Sequence, residues 1–236
     1  MKQSRNSGFT IIELLIATAV FSVVLLVISA AIIQIGRLYY KGITSARTQE
    51  VARSVMNDIS QAIQFNVGQV EEIGPPSFSN ANDNGNSRAI CVATQQYNFV
   101  YGQQRTNTRH ALVSREVPSG CLGMDAQAMD GSVTGNELLG DKMRLANLVV
   151  ERQAGADNAY KVTVRVVYGD SDLLCDPSAT TGKASCTSTD GWNESIGTDA
   201  AAIAGTRNLS CKNIRSGTQF CAASELSTIV KRRLVE

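Results

Sequence analysis

Glu13 stands immediately before a long apolar segment, residues 14–36, that contains no charged residue. As an α-helix with a rise of about 1.5 Å per residue, this segment would extend roughly 35 Å, enough to cross a hydrocarbon core of about 30 Å. An ionisable residue at such a place costs about 2.5–3.5 kcal/mol on insertion scales, so it is usually functional. The pattern predicts a membrane-spanning helix and makes Glu13 a candidate site residue.

The residues that precede this helix form a short basic leader. Residues 1–8 contain Lys2 and Arg5 and no acidic residue. Because basic flanks of a membrane span stay on the cytoplasmic side, the leader is predicted to be cytoplasmic. The chain after Tyr40 is then predicted to lie outside the membrane.

The junction between leader and helix has the sequence GFTIIE at residues 8–13. Over residues 2–35 the chain resembles the prepilin signature of type IV pilins and their relatives. The resemblance implies that a prepilin peptidase cleaves after Gly8 and methylates the new amine of Phe9. It gives Glu13 a role in assembly, since a carboxylate and an ammonium attract strongly where the dielectric is low. Glu13 would pair with the Phe9 amine of a neighbouring subunit and set its axial register.

Two other interpretations of the N-terminal segment stay open. Ser29-Ala30-Ala31 fits the small-x-small site of a secretory signal cleaved after Ala31. The apolar segment would then exceed the usual core of about 7–15 residues. Alternatively, the segment is a plain signal anchor in which Glu13 has no function.

The cysteines predict an oxidising compartment. The chain has six Cys and one His, with no CxxC pair, which argues against a zinc site. An even count downstream of a membrane anchor is typical of extracytoplasmic disulfides, and six cysteines allow 15 pairings. The sequential pairing is favoured because each bond then closes a local loop, although free buried thiols remain an alternative. The favoured pairs are Cys91–Cys121, Cys175–Cys186 and Cys211–Cys221.

The remaining sequence predicts an α+β fold, with a long N-terminal helix packed on an antiparallel sheet and disulfide-stapled C-terminal loops. Apolar residues recur every four positions at Val51, Val55, Ile59 and Ile63, which is typical of an amphipathic helix with one buried face. Strands are predicted at residues 89–94, 98–102, 111–116, 144–152, 160–168 and 220–230. The predicted divisions are a cleaved leader (1–8), a transmembrane or filament-core helix (9–36), its amphipathic continuation (37–65) and an extracytoplasmic globular domain (66–236).

Sequence patterns for catalysis or cofactor binding are missing from the chain: it contains no GxSxG, HExxH, P-loop or dinucleotide fingerprint. The sequence therefore predicts no catalytic residue, no cofactor and no metal. The acidic loop with Asp170, Asp172 and Asp176 could hold Ca²⁺, but solvated turns are the default. His110 is interpreted as structural. The net charge of +1 gives no case for nucleic acid binding, and the basic end at residues 231–233 is interpreted as solubilising.

The arrangement of helix, loop, sheet and late insertion is similar to that of the larger minor pilins and J-type pseudopilins. The predicted function is a structural subunit, a minor pilin, of a type IV pilus-like filament, assembled through its N-terminal helix. The alternatives are a pseudopilin of a type II secretion or DNA-uptake machine, and a membrane-anchored extracellular binding protein or enzyme.

The resemblance also implies partners for the processing and assembly of a pilin. They are the prepilin peptidase, the inner-membrane assembly platform and other pilin subunits, with no nucleic acid or small-molecule ligand predicted. The chain is expected to span the cytoplasmic (inner) membrane once before assembly and to lie in a surface filament afterwards.

Overall fold

The computed structural model describes residues 9–65, 70, 87–121, 124, 126–155, 158–177, 186, 208–212 and 217–233. Contacts divide the chain into two compact units, Met1–Tyr40 and Lys41–Glu236. A single helix, α1, runs over Ile11–Phe65 and contributes to both units. The amphipathic part of α1 therefore belongs to the same compact unit as the strands.

The described strands of the second unit are all antiparallel to their neighbours and form three separate sheets. The first sheet has the order β1-β2-β3-β4, the second β5-β6-β9 and the third β7-β8. The strands are β1 Arg88–Val92, β2 Gln95–Phe99, β3 Leu112–Glu116, β4 Asn136–Glu137, β5 Met143–Arg152, β6 Ala159–Tyr168, β7 Leu174–Cys175, β8 Ser210–Cys211 and β9 Ala222–Lys231. With the helix, they confirm the predicted α+β fold class.

One face of α1 forms the core with both larger sheets. The periodic apolar residues Val55, Ile59 and Ile63 are each no more than 1 % exposed. They pack in one cluster with inward-facing side chains of the two sheets, such as Phe99 of β2 and Val164 of β6. The four-residue spacing in the sequence thus marks the buried face of the helix.

Two buried tyrosines add polar contacts to this core. The hydroxyl group of Tyr97 in β2 donates a hydrogen bond to Asp58 of α1. Burial and, to a lesser extent, the negative charge of Asp58 raise the pKa of Tyr97, so its hydroxyl stays protonated. The hydroxyl group of Tyr101 donates to the carbonyl oxygen of Leu148 at 2.8 Å, and burial raises its pKa to about 12. The first bond ties β2 to the helix, and the second ties the segment that follows β2 to β5 of the second sheet.

The predicted strand boundaries near residue 94 are wrong. The sequence suggested a strand over residues 89–94 and another over 98–102, whereas the chain turns between β1 and β2 at Ala93 and Thr94. Ala93 has φ 57°, the left-handed conformation that a tight hairpin requires and that Gly or Asn usually supplies. Because Ala gives no such signal, the turn could not be located from the residue types.

The loop between β3 and β4 packs on the face of the first sheet that points away from the helix. Gln96 and Asn98 alternate with the core residues of β2 and are fully buried. The side-chain oxygen of Asn98 accepts a hydrogen bond from the backbone N–H of Gln127 at 3.0 Å, and Met129 packs against Val113 of β3. The described residues of this segment, 117–121, 124 and 126–135, are called the covering loop below.

Candidate assembly site at the N-terminus

The N-terminus of α1 is closed by a reciprocal pair of hydrogen bonds between Thr10 and Glu13. The Glu13 Oε2 atom accepts from the backbone N–H of Thr10 at 2.9 Å and from its hydroxyl group at 2.8 Å. The backbone N–H of Glu13 donates to Thr10 Oγ1 at 3.3 Å. This is a capping box, which satisfies backbone donors that a helix terminus otherwise leaves unpaired. It makes Thr10 the residue before the helix and fixes where the helix begins.

Glu13 keeps one carboxylate oxygen for a second interaction. Within the described part of the chain, its hydrogen bonds all go to Oε2, which leaves Oε1 available. Phe9, one residue before the cap, is 76 % exposed. Gly8, the other residue of the predicted cleavage site, lies outside the described residues. Glu13 thus presents a carboxylate that the N-terminus of its own helix holds in place.

The capping role of Thr10 was missed in the sequence. Its signal is present, since Thr10 and Glu13 have the T-x-x-E spacing of a capping box before an apolar run. Glu13 stands out in the sequence because it is an ionisable residue at the edge of an apolar span, whereas Thr10 is an uncharged polar residue and does not.

The part of α1 within the first unit exposes apolar side chains on all sides. Ile11 is 81 % exposed and Leu26 is 71 % exposed. Among the described residues, α1 is the one helix long and apolar enough to cross a membrane. A helix that is apolar all round needs to be covered by lipid or by other protein. Large apolar side chains that are at least 60 % exposed here are Phe9, Ile11, Ile12, Leu15, Ile16, Phe21, Leu26, Val27, Ile32, Ile35, Leu38 and Tyr39.

Comparison with protein families gives the decisive finding for this segment. Residues 3–29 match the family model described as the prokaryotic N-terminal methylation motif. The chain carries a prepilin-type signal. The prepilin-type signal covers Gly8, Phe9 and Glu13 and supports a type IV pilin-like, prepilin-processed protein with an N-terminal membrane anchor. No curated protein and no solved structure matches the chain.

Beyond the prepilin-type signal, the six cysteines form three disulfides. The bonds join Cys91 to Cys121, Cys175 to Cys186, and Cys211 to Cys221. These are the sequential pairs that the spacing favoured.

Each disulfide has a distinct place in the fold. Cys91 is in β1 and Cys121 is in the covering loop, so this bond fastens the loop to the sheet that it covers. Cys175 is the last residue of β7. Cys211 ends β8 and Cys221 precedes β9, so the third bond joins the smallest sheet to the start of an edge strand.

Peptide mapping of the non-reduced protein should recover the same three links. Local loops of 10 and 11 residues close at low entropic cost, whereas the first pair depends on the pairing of β1, β2 and β3. Mass spectrometry after proteolysis, with a reduced sample as the control, would identify the linked peptides. Crossed links between the second and third pairs would contradict this arrangement.

His110 and Glu137 form a neighbouring pair of titratable side chains, the combination that many acid–base catalytic sites use. His110 Nδ1 lies 3.3 Å from Glu137 Oε2. The same carboxylate accepts the backbone N–H groups of Ala111, Leu112 and Leu139 at 3.0, 3.0 and 3.1 Å. Glu137 therefore joins the start of β3, at residues 111–112, to its own segment at Leu139, and the arrangement has the character of a structural clamp.

The acidic loop that was considered for Ca²⁺ lies beside two cationic side chains. Asp170 binds the Lys142 ammonium group at 2.9 Å, and this contact raises the pKa of Lys142. The buried guanidinium group of Arg144 donates to the hydroxyl oxygen of Ser171 at 2.9 Å. Within the described ranges, no group of three or more acidic, His or Cys side chains is placed to hold a metal ion. The positive charges make this loop a poor environment for a cation.

Proposed function

We propose that this protein is a structural subunit, a minor pilin, of a type IV pilus-like filament. The observation that carries the proposal is the prepilin-type signal at residues 3–29, joined to a helix whose apolar side chains are exposed on all sides. Lipid covers that surface while the chain is in the membrane. Neighbouring helices cover it once the subunit is in the filament, so one surface serves both states.

Cleavage after Gly8 creates the group that Glu13 needs. The new amine of Phe9 is positively charged, and the available Oε1 atom of Glu13 in a neighbouring subunit neutralises it. Both charges are then paired in a medium of low dielectric, where an unpaired charge is costly. Because the pair forms at one axial offset between helices, it sets the register of each added subunit.

The role proposed for the second unit is structural display and not catalysis. Its acid–base groups contribute to the fold: Glu137 accepts three backbone N–H groups, and Asp58 accepts the hydroxyl group of Tyr97. The late insertion between β6 and β9 also suits a pseudopilin of a secretion or DNA-uptake machine. Purified surface filaments distinguish the two functions, because a minor pilin is present there in small amounts.

Mass spectrometry of the mature N-terminus tests the proposal. The chain taken from membranes or filaments should begin at Phe9 and carry one methyl group on its amine. Gly8→Trp should block the cut, because a bulky side chain prevents close approach of the peptide to the protease, and should leave the leader attached. Ser4→Trp, a matched change within the leader and away from the cut, should still be processed. A mature chain that begins at Ile32 would establish a secretory signal instead.

A further inference from the structure

Strand β9 ends the second sheet with an edge that none of the other described strands covers. The order β5-β6-β9 places it at the margin, and all ten of its residues pair with β6 on one side only. Such an edge presents unpaired backbone N–H and C=O groups that can add a further strand. Which strand can pair with this edge depends on the side chains of β9.

The side chains on the outward face of β9 are ordered so that an antiparallel copy of the same strand would complement them. Glu225, Ser227, Ile229 and Lys231 alternate with inward-facing residues, and all four are exposed. Ile229 is 62 % exposed, which is unusual for a large apolar side chain in a strand. When the order of these four residues is reversed, Lys231 takes the position of Glu225, and Ile229 takes the position of Ser227.

We propose that two copies of this chain associate by antiparallel pairing of their β9 edges about a two-fold axis at Thr228. In this register Glu225 of each copy faces Lys231 of the other, so the interface contains two such ion pairs. Ser227 faces Ile229 of the second copy, and the two Ile229 side chains become diagonal neighbours across the axis. Opposite charges and apolar groups that face each other between strands stabilise the pairing.

Other pairings of the two β9 edges give less favourable contacts between their side chains. A parallel, in-register pairing would place Glu225 beside Glu225 and Lys231 beside Lys231, and facing like charges destabilise. An antiparallel pairing shifted by two residues would set Glu225 against Arg233. The guanidinium group of Arg233 already lies 5.4 Å from the ring centroid of Phe65, and its backbone N–H donates to Gln64.

Glu225 can serve both its own sheet and the second copy. One carboxylate oxygen lies 3.3 Å from the guanidinium group of Arg165 in β6, and the Glu225 side chain is still 53 % exposed. In the dimer this carboxylate would lie between Arg165 and Lys231 of the second copy. The proposal depends only on the second unit, so it stands or fails independently of the filament function.

Thiol crosslinking of the full chain in detergent tests the proposed register. The native cysteines are all in disulfides, so an added cysteine is the one free thiol. Thr228→Cys should give a covalent dimer with a short thiol-to-thiol crosslinker, because the axis places the two residues opposite each other. Lys161→Cys, at an exposed position of β6 outside the proposed interface, is the control, since its two copies would be about 15 Å apart. Equal yields from the two variants, or no dimer from Thr228→Cys, would overturn the proposal.

A charge reversal tests the ion pairs. Adding Lys231→Glu to Thr228→Cys should lower the dimer yield about tenfold, because two attractive contacts become repulsive. Lys161→Glu makes the same change on the exposed face of β6, one strand inward, and should leave the yield unchanged. If Lys231→Glu has no effect, or if both reversals lower the yield equally, the pairing of Glu225 with Lys231 is refuted.

Discussion

Glu13→Val should reduce incorporation of the chain into filaments by about tenfold or more, while the protein remains in the membrane. Valine removes a polar group from the edge of an apolar span, so insertion should be as good or better. It also removes the carboxylate that caps Thr10 and would pair with the Phe9 amine of a neighbour. A tenfold loss corresponds to about 1.4 kcal/mol, well within the strength of an ion pair at low dielectric.

Two further variants separate the two roles of Glu13. Thr10→Val removes the capping hydroxyl group and leaves the carboxylate, so it should cost helix stability of about 1 kcal/mol and spare most of the incorporation. Glu13→Gln retains an oxygen that can accept from Thr10 but removes the charge, and it should behave like Glu13→Val. The ratio of chain in sheared filaments to chain in membranes gives the measurement. Wild-type incorporation of Glu13→Val would refute the register role.

Glu137→Ala should lower the free energy of unfolding of the second unit by roughly 3–5 kcal/mol. Its carboxylate accepts the backbone N–H groups of Ala111, Leu112 and Leu139, and these residues are no more than 2 % exposed. Each buried donor left without a partner costs about 1–3 kcal/mol. Water that enters the space left by the side chain would recover part of this loss.

Thermal unfolding of the full chain in detergent, followed by near-ultraviolet circular dichroism, would measure the effect. The midpoint should fall by about 10 °C, since about 2–4 °C corresponds to 1 kcal/mol in a domain of this size. Glu116→Ala is a suitable control, because it removes an exposed carboxylate at the end of β3. A midpoint within 2 °C of the control, as a rough limit set by the usual ±0.5 kcal/mol of surface changes, would contradict the clamp.

The features that the sequence predicted depend on local patterns. The apolar span, the four-residue spacing on α1 and the Val-rich alternation of β6 are each visible within a dozen residues. The disulfide partners Cys175 and Cys186, and Cys211 and Cys221, are also near neighbours along the chain. Local signals of this kind fix where an element lies and which side it buries.

The features that the sequence did not predict depend on contacts between distant segments. Glu137 looks like a polar residue in a loop, and its role follows only from the 25 and 26 residues that separate it from the N–H groups it accepts. Likewise Gln96 and Asn98 look like solvent-facing strand residues, yet the covering loop buries them. No periodic pattern in the sequence of β2 indicates that a loop from a distant part of the chain folds back over it.

The covering loop decides which part of the second unit an antibody or another large molecule can reach. The polar side chains of Gln96 and Asn98 would suggest an accessible face on the first sheet, but both are fully buried. On the second sheet, the row formed by Lys161 and Ile229, and the next one formed by Thr163 and Ser227, remain in contact with solvent. A large molecule that binds the second unit should therefore contact the face of β6 and β9, while the outer face of β2 stays out of its reach.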